Sequence, residues 1–299
     1  MSAAVPTYKL LKTHVESLVR ALRLVDEGDV RALHRTRVAS RRLREIIPVL
    51  PLPGDKARKL SRRLRRITSR LGAIRELDVL LLLLDDLHES RWAHSDALAR
   101  VAVSVATDRD RARRAGGASI DAMRRTARKL RELVDDLRRK QMPDARATRW
   151  AVEARIVRRA TRLTEVLRDA GAVYLPERLH AVRIAVKKLR YSVELANSSG
   201  ARSLAATSRL LRRAQDILGR MHDRQVLIDR VRHVQATLTP PSIAVWRSLD
   251  SLVTSLDDEC RRLHGRYMRL RPELEAAAKD LAPSAEVRAR HSHADTRTG

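Results

Sequence analysis

The stretch LHRTRVASRRLRE, Leu33–Glu45, is written a second time as LHAVRIAVKKLRY, Leu179–Tyr191. Both copies open with Leu-His, place Arg three residues after the His, and then give two adjacent cations, Leu and Arg. On a helix with about 100° per residue, Arg37, Arg41 and Arg44 fall within about 80° of His34, while Thr36, Ala39, Leu43, Ile46 and Ile47 take the opposite side. In the second copy His180, Arg183, Lys187 and Arg190 share one face, and Val182, Ala185, Leu189 and Val193 share the other. Arg42 and Lys188 lie on the remaining flank and widen each stripe. Each copy therefore reads as an amphipathic helix whose polar face is a cationic ridge.

The repeat continues. SRRLRRITSRLGAIRELDVLL from Ser61 aligns with SRLLRRAQDILGRMHDRQVLI from Ser208, so that Arg62, Arg65 and Arg66 match Arg209, Arg212 and Arg213. Two units carrying basic helices in the same order imply two half-domains related by approximate twofold symmetry. The halves are expected at 1–145 and 146–282. The remaining tail, 283–299, lacks an apolar face and is expected to be disordered.

Apolar residues recur at three- and four-residue spacing along the chain and no alternating strand pattern occurs, which predicts an all-α fold. Helix ends are expected at the breakers: EGD (27–29), PLPGD (51–55), AGGAS (115–119), MPD (142–144), Gly171, Pro176, SSG (198–200), TPPS (239–242) and Pro272. They divide the chain into about ten helices of about 15 to 25 residues, the size of bundle helices.

Lys and Arg number 63 against 36 Asp and Glu, a formal charge of +27. Self-repulsion on that scale predicts an anionic partner: nucleic acid, an anionic membrane surface or an inorganic polyanion. There is no Phe, and the basic stretches hold almost none of the three Trp and four Tyr. Proteins that grip single-stranded nucleic acid stack bases on such rings, so nucleic acid is the weaker candidate. The single cysteine, Cys260, excludes an internal disulfide and fits a reducing cytoplasm. The longest apolar run, Val79–Leu84, is too short to span a bilayer, and MSAAVPTYKL lacks a signal-peptide pattern. A cytoplasmic protein with no membrane partner is expected.

Like charges four apart on a helix cost a few tenths of a kcal/mol per pair, roughly. A bound polyanion removes that repulsion and releases its own counterions, and the planar fork of Arg takes two phosphate oxygens at once. His34 and His180 are expected to hydrogen-bond phosphate rather than hold a metal, because cations surround them and no carboxylate shares their face. The same cations should lower their pKa. No GxxxxGK[ST] loop, no Ser/His/Asp or Cys/His arrangement and no metal-holding carboxylate pair is present, so neither catalysis nor a cofactor is expected.

These residues, with LGAIRELDVL and LGRMHDRQVL, resemble the CHAD domain, the conserved histidine α-helical domain, over about residues 7–272. The resemblance implies two four-helix bundles related by a pseudo-twofold axis around a central basic pore. It implies inorganic polyphosphate as ligand and association with polyphosphate granules in the cytoplasm. By motif position the binding residues would be His34, Arg37, Arg41, Arg42, Arg44, Arg62, Arg65 and Arg66 in the first half. In the second they would be His180, Arg183, Lys187, Lys188, Arg190, Arg209, Arg212 and Arg213. One motif departs between halves: Arg75-Glu76-Leu77-Asp78-Val79 becomes His222-Asp223-Arg224-Gln225-Val226. The Glu-x-Glu-x-Lys signature of a triphosphate-tunnel domain, carried by many family members, is absent, since PELEAAAK places Ala277 where Lys is needed. The expected function is non-catalytic polyphosphate binding. Backbone-directed nucleic-acid binding and a polyphosphate or nucleotide phosphohydrolase stay open as alternatives.

Overall fold

A computed structural model describes residues 7–26, 31–50, 52–89, 95–139, 145–199, 204–238 and 241–282. The described residues form eight α-helices and one 3-10 turn, with no strand. The helices are α1 (Thr7–Asp26), α2 (Ala32–Ile46), α3 (Gly54–Glu89), α4 (Ser95–Arg139), α5 (Ala145–Ala170), α6 (Pro176–Ser199), α7 (Ala205–Ala236) and α8 (Ile243–Leu281); the 3-10 turn, Ile47–Val49, follows α2. The all-α expectation holds. The tail expected to be disordered, with EGD and MPD, lies outside the described residues.

The chain folds as two compact units. The first holds the described residues within 4–145 and 221–260, the second those within 146–220 and 261–299.

In the first unit the apolar faces of α1 to α4 meet. Leu43, Ile46, Leu64, Leu71, Met123 and Leu130 are buried to 1% exposure or less, each contributing about 1.5–3 kcal/mol of burial. Thr68 of α3 donates to Leu64 O at 2.6 Å, so the Ser40 hydroxyl of α2 is left to donate to Thr68 Oγ1, 2.5 Å away. That buried pair fixes the register of α2 on α3. Antiparallel to α3 runs α4: Arg109 Nε lies 2.7 Å from Asp78 Oδ1, and farther along Gly116 faces Ile74.

That last contact corrects one expectation. AGGAS does not end a helix; it sits in the middle of α4, which runs 45 residues. Glycine inside a helix costs about 1 kcal/mol against alanine. Here the missing side chain is used, because a Cβ on Gly116 would stand 2.9 Å from Ile74 Cδ1.

The second unit buries Leu163, Leu167, Val182, Val186, Leu189, Leu211, Leu263 and Tyr267. Burial pushes the Tyr267 hydroxyl up to about 12. Gly171 ends α5 in the left-handed region at φ 61°, a conformation glycine adopts without steric cost. Pro176 then opens α6, where its missing N–H is one of the helix start's unbonded donors anyway.

Pro272 is the second breaker that does not break: α8 passes through it over 39 residues. Its neighbour Arg271 is tied down on three sides. The guanidinium donates to Leu167 O at 3.0 Å, to Gly171 O, and to Glu275 Oε1 at 2.6 Å. Tertiary contacts thus outweigh the local proline penalty, and with AGGAS helical as well the helices are fewer and longer than the breakers suggest.

Candidate functional site

Buried Thr36, Ala39, Ser40, Leu43 and Ile46 pin one side of α2. His34 and Arg42 are exposed on the other side, and Arg37, Arg41 and Arg44 are half-buried. Arg37 reaches across to α3, where its Nη1 donates to Gly72 O at 3.4 Å. Although its side chain reaches solvent, partial desolvation of the ring among its neighbours holds His34 below the usual imidazole range, helped by the charges of Arg75, Arg37 and Arg41 in that order. One neutral imidazole is therefore set among three guanidiniums, two from α2 and one from α3. Arg42 belongs elsewhere. It faces His14 of α1, which burial and then Arg42 hold down to about 4.

The α3 row also divides. Arg62 and Arg66 line a cavity of about 570 Å³ against Ser119 and Ala122 of α4; Arg65 does not. Arg41, Arg62, Arg65, Arg66 and Arg75 have no carboxylate partner among the described residues.

In the second unit the same ridge is built on α6 over buried Val182, Ala185, Val186 and Leu189. His180 and Lys188 are exposed, while Arg183, Lys187 and Arg190 are half-buried. Here the charges are more engaged. Arg190 Nη1 donates to Glu194 Oε1 at 2.8 Å and its guanidinium lies 4.9 Å from the Tyr191 ring centre, within cation–π range. Glu194 also draws Arg212 of α7, 3.7 Å away, and Arg213 lies 3.8 Å from Glu273 of α8. Arg209 alone of that row has no carboxylate partner among the described residues. Arg159 of α5 donates to Lys188 O at 2.5 Å and Ser192 Oγ at 2.7 Å, fixing the backbone under the ridge.

Repetition alone did not pick out Arg75, Lys59, Arg63 or Arg70, though the last three line the α3 cavity with Arg62 and Arg66. The signal was present as spacing: positions 59, 62, 63, 66 and 70 share one helical face. Among the described residues no three His, Cys, Asp or Glu side chains are grouped to hold a metal ion, and no helix is long and apolar enough to cross a membrane.

Fold and site define an all-helical, strongly basic domain built on a duplicated His-x-x-Arg ridge. The chain belongs to the CHAD domain family, whose model matches residues 9–232. Among solved structures it is similar to PptA from Streptomyces chartreusis, with a TM-score of 0.66 and 18% identity, covering 88% of this chain and 97% of that one. It is also similar to the CHAD domain from the plant Ricinus communis, with a TM-score of 0.59 and 22% identity, covering 88% of this chain and 93% of that one. At these identities the likeness is one of fold. No match is found among curated proteins.

Proposed function

We propose that this chain is a non-catalytic binding module for inorganic polyphosphate, which it grips through the Arg, Lys and His rows of α2, α3, α6 and α7. In the cell it would dock on polyphosphate granules in the cytoplasm. Family membership supports the ligand class. The observation that carries the reading is the set of cations without acidic partners. Arg58, Arg111, Arg124 and Arg139 each lie within 3.1 Å of an Asp three residues earlier. By contrast Arg41, Arg62, Arg65, Arg66 and Arg75 of the same unit have no carboxylate partner among the described residues. Acidic residues were available to this chain, and these rows go without them. A flexible polyanion supplies the missing charge and releases counterions as it binds.

Replacing Arg37, Arg41, Arg183 and Lys187 together by Glu tests it. At about 1.5 kcal/mol per lost charge-assisted contact, affinity for long-chain polyphosphate falls by well over about 100-fold while the far-UV circular dichroism is unchanged. Retention equal to the parent protein would refute the proposal. In a companion competition, duplex DNA at equal phosphate concentration fails to displace the polymer; displacement would favour a general backbone binder. Release of orthophosphate by purified protein with Mg²⁺ would overturn the non-catalytic part.

A further inference from the structure

The cavity between α3 and α4 shares Arg62 and Arg66 with the duplicated α3 row, takes its other cations from outside the repeat, and belongs wholly to the first unit. Five cations of α3 line it: Lys59, Arg62, Arg63, Arg66 and Arg70. From α4 come only small residues, Ser119 and Ala122, which leave room in front of the guanidiniums. No carboxylate lines the space, and none of the five cations has an ion-pair partner among the described residues. Repulsion along one helix face, with five like charges inside three turns, is thus left standing in the free protein.

The repeat shows that this arrangement is not inherited from the shared motif. In the second copy Lys59, Arg63 and Arg70 correspond to Ala206, Leu210 and Ile217, while Arg62 and Arg66 keep their arginines at Arg209 and Arg213. Three of the five cations occur in one half only, and all three line the same cavity.

We infer that this α3–α4 groove is a second anion site, specific to the first half, for a short linear oligophosphate. Lys59 to Arg70 spans about 16 Å of helix, much longer than a single phosphate, so a row of linked phosphates suits it better than orthophosphate. The planar guanidiniums of Arg62, Arg63, Arg66 and Arg70 present paired donors to successive phosphate oxygens, with Lys59 as a point charge at one end. No aromatic ring lines the groove, so nothing is placed to stack a nucleobase. A free tripolyphosphate and the phosphate tail of a nucleoside triphosphate share the chemistry the site reads. The inference rests on the proposed function for Arg62 and Arg66, which it shares with the α3 row, but it uses none of the residues altered in the charge-reversal protein above.

The test is calorimetric titration of full-length protein with tripolyphosphate and, separately, with ATP. The variant Lys59→Ala, Arg63→Leu, Arg70→Ile gives α3 the residues its own copy carries. It is expected to lose one class of tripolyphosphate sites, with affinity there at least about tenfold weaker and the slope of log K against log salt shallower by about two. A second variant, Ala122→Glu, sets a carboxylate opposite the cations without removing any and is expected to weaken the same class. The ridge variant, Arg37, Arg41, Arg183 and Lys187 to Glu, keeps that class, so failure of the groove and failure of the ridges are told apart. Equal affinity for tripolyphosphate and ATP identifies the free phosphate chain as sufficient, whereas tighter ATP binding would overturn the ring-free reading. Isotherms unchanged in both groove variants, each with parental circular dichroism, would overturn the site itself.

Discussion

The basic row of α3 and its copy in α7 have the same spacing and different surroundings. Arg62, Arg65 and Arg66 have no acidic partner among the described residues, whereas Arg212 and Arg213 stand near Glu194 and Glu273. For Arg212 the cause lies one helix earlier. Pro48 occupies the position that Glu194 holds in the second copy, and there α2 tightens into the 3-10 turn Ile47–Val49. Helix α6 runs on to Ser199 instead and so carries Glu194 past Arg190 toward α7. Duplication therefore sets where the charge lies, and the residue after the motif decides how much of it is free for a ligand.

Reversing charge in each row in turn is the strongest way to break this comparison. Changing Arg62, Arg65 and Arg66 to Glu should weaken polyphosphate binding by about 100-fold or more, from three charge-assisted contacts. The equivalent change of Arg209, Arg212 and Arg213 should cost only about tenfold, because two of those cations already share their charge with carboxylates. Equal losses, measured by the same isotherm, would mean that the acidic neighbours do not screen the α7 row.

The second contrast concerns anchoring. Asp78 is 7% exposed and receives Arg109 at 2.7 Å, with Arg113 at 3.7 Å. Its copy is Gln225, which makes a 3.4 Å bond to Asp229 within its own helix. Asp78→Asn should lower unfolding stability by about 2 kcal/mol, since the buried carboxylate that the half-buried Arg109 guanidinium meets at 2.7 Å is lost and only exposed Asp110, 4.0 Å away, remains. Gln225→Ala should change it by less than about 0.5 kcal/mol. Chemical denaturation reads both. The second copy anchors itself by another route: Arg224, 8% exposed, stands where the first has Leu77 and meets Glu259 of α8 at 2.5 Å.

These pairs also show what the sequence made legible. Helical periodicity and the buried face of α2 could be read directly, because they follow from local spacing. So could the ridge, because it is written twice. The groove cations could not be found by the same route, since Ala206, Leu210 and Ile217 break the repetition that selected the other residues. The breakers at AGGAS and Pro272 misled for a related reason. Local propensity registers the cost of Gly116 and Pro272 but not the approach of Ile74, nor the bonds of Arg271 to Leu167 O and Gly171 O, and those contacts come from residues distant in sequence. The split of Arg42 from its neighbours likewise needed the position of His14 on α1.

Removing the acid that quenches α7 sharpens the comparison from the other side. Glu194→Gln frees Arg190 and Arg212 from a shared carboxylate. Polyphosphate affinity should rise by about three- to tenfold at low salt and steepen in its salt dependence, as newly available cations contact phosphate. The same substitution removes a half-buried i,i+4 ion pair, so thermal stability should fall slightly. A gain in binding with a loss in stability is the signature sought; loss of both would mean that Glu194 positions Arg190 for the ligand instead of competing for it.

The smallest effect separates the copies by pH. In the free protein His34 is held below its ordinary pKa by partial desolvation and by Arg75, Arg37 and Arg41. A polyanion neutralises those charges and lets the pKa rise, so binding takes up a proton and affinity should increase a few-fold as pH falls from about 7.5 to about 5.5. Calorimetry in two buffers of different ionisation enthalpy measures that uptake, and His34→Gln should abolish it. Arg75→His makes the first copy match His222 of the second, and by removing the largest of the charges on His34 it should shrink the uptake. Acid works against the fold over part of this range. His14 is depressed to about 4, so the unfolded chain binds a proton below about 6.5 that the native chain refuses, and stability declines as pH drops through that interval. His14→Gln should flatten that decline while leaving the proton uptake on binding intact, which separates a titration coupled to the ligand from one coupled to folding.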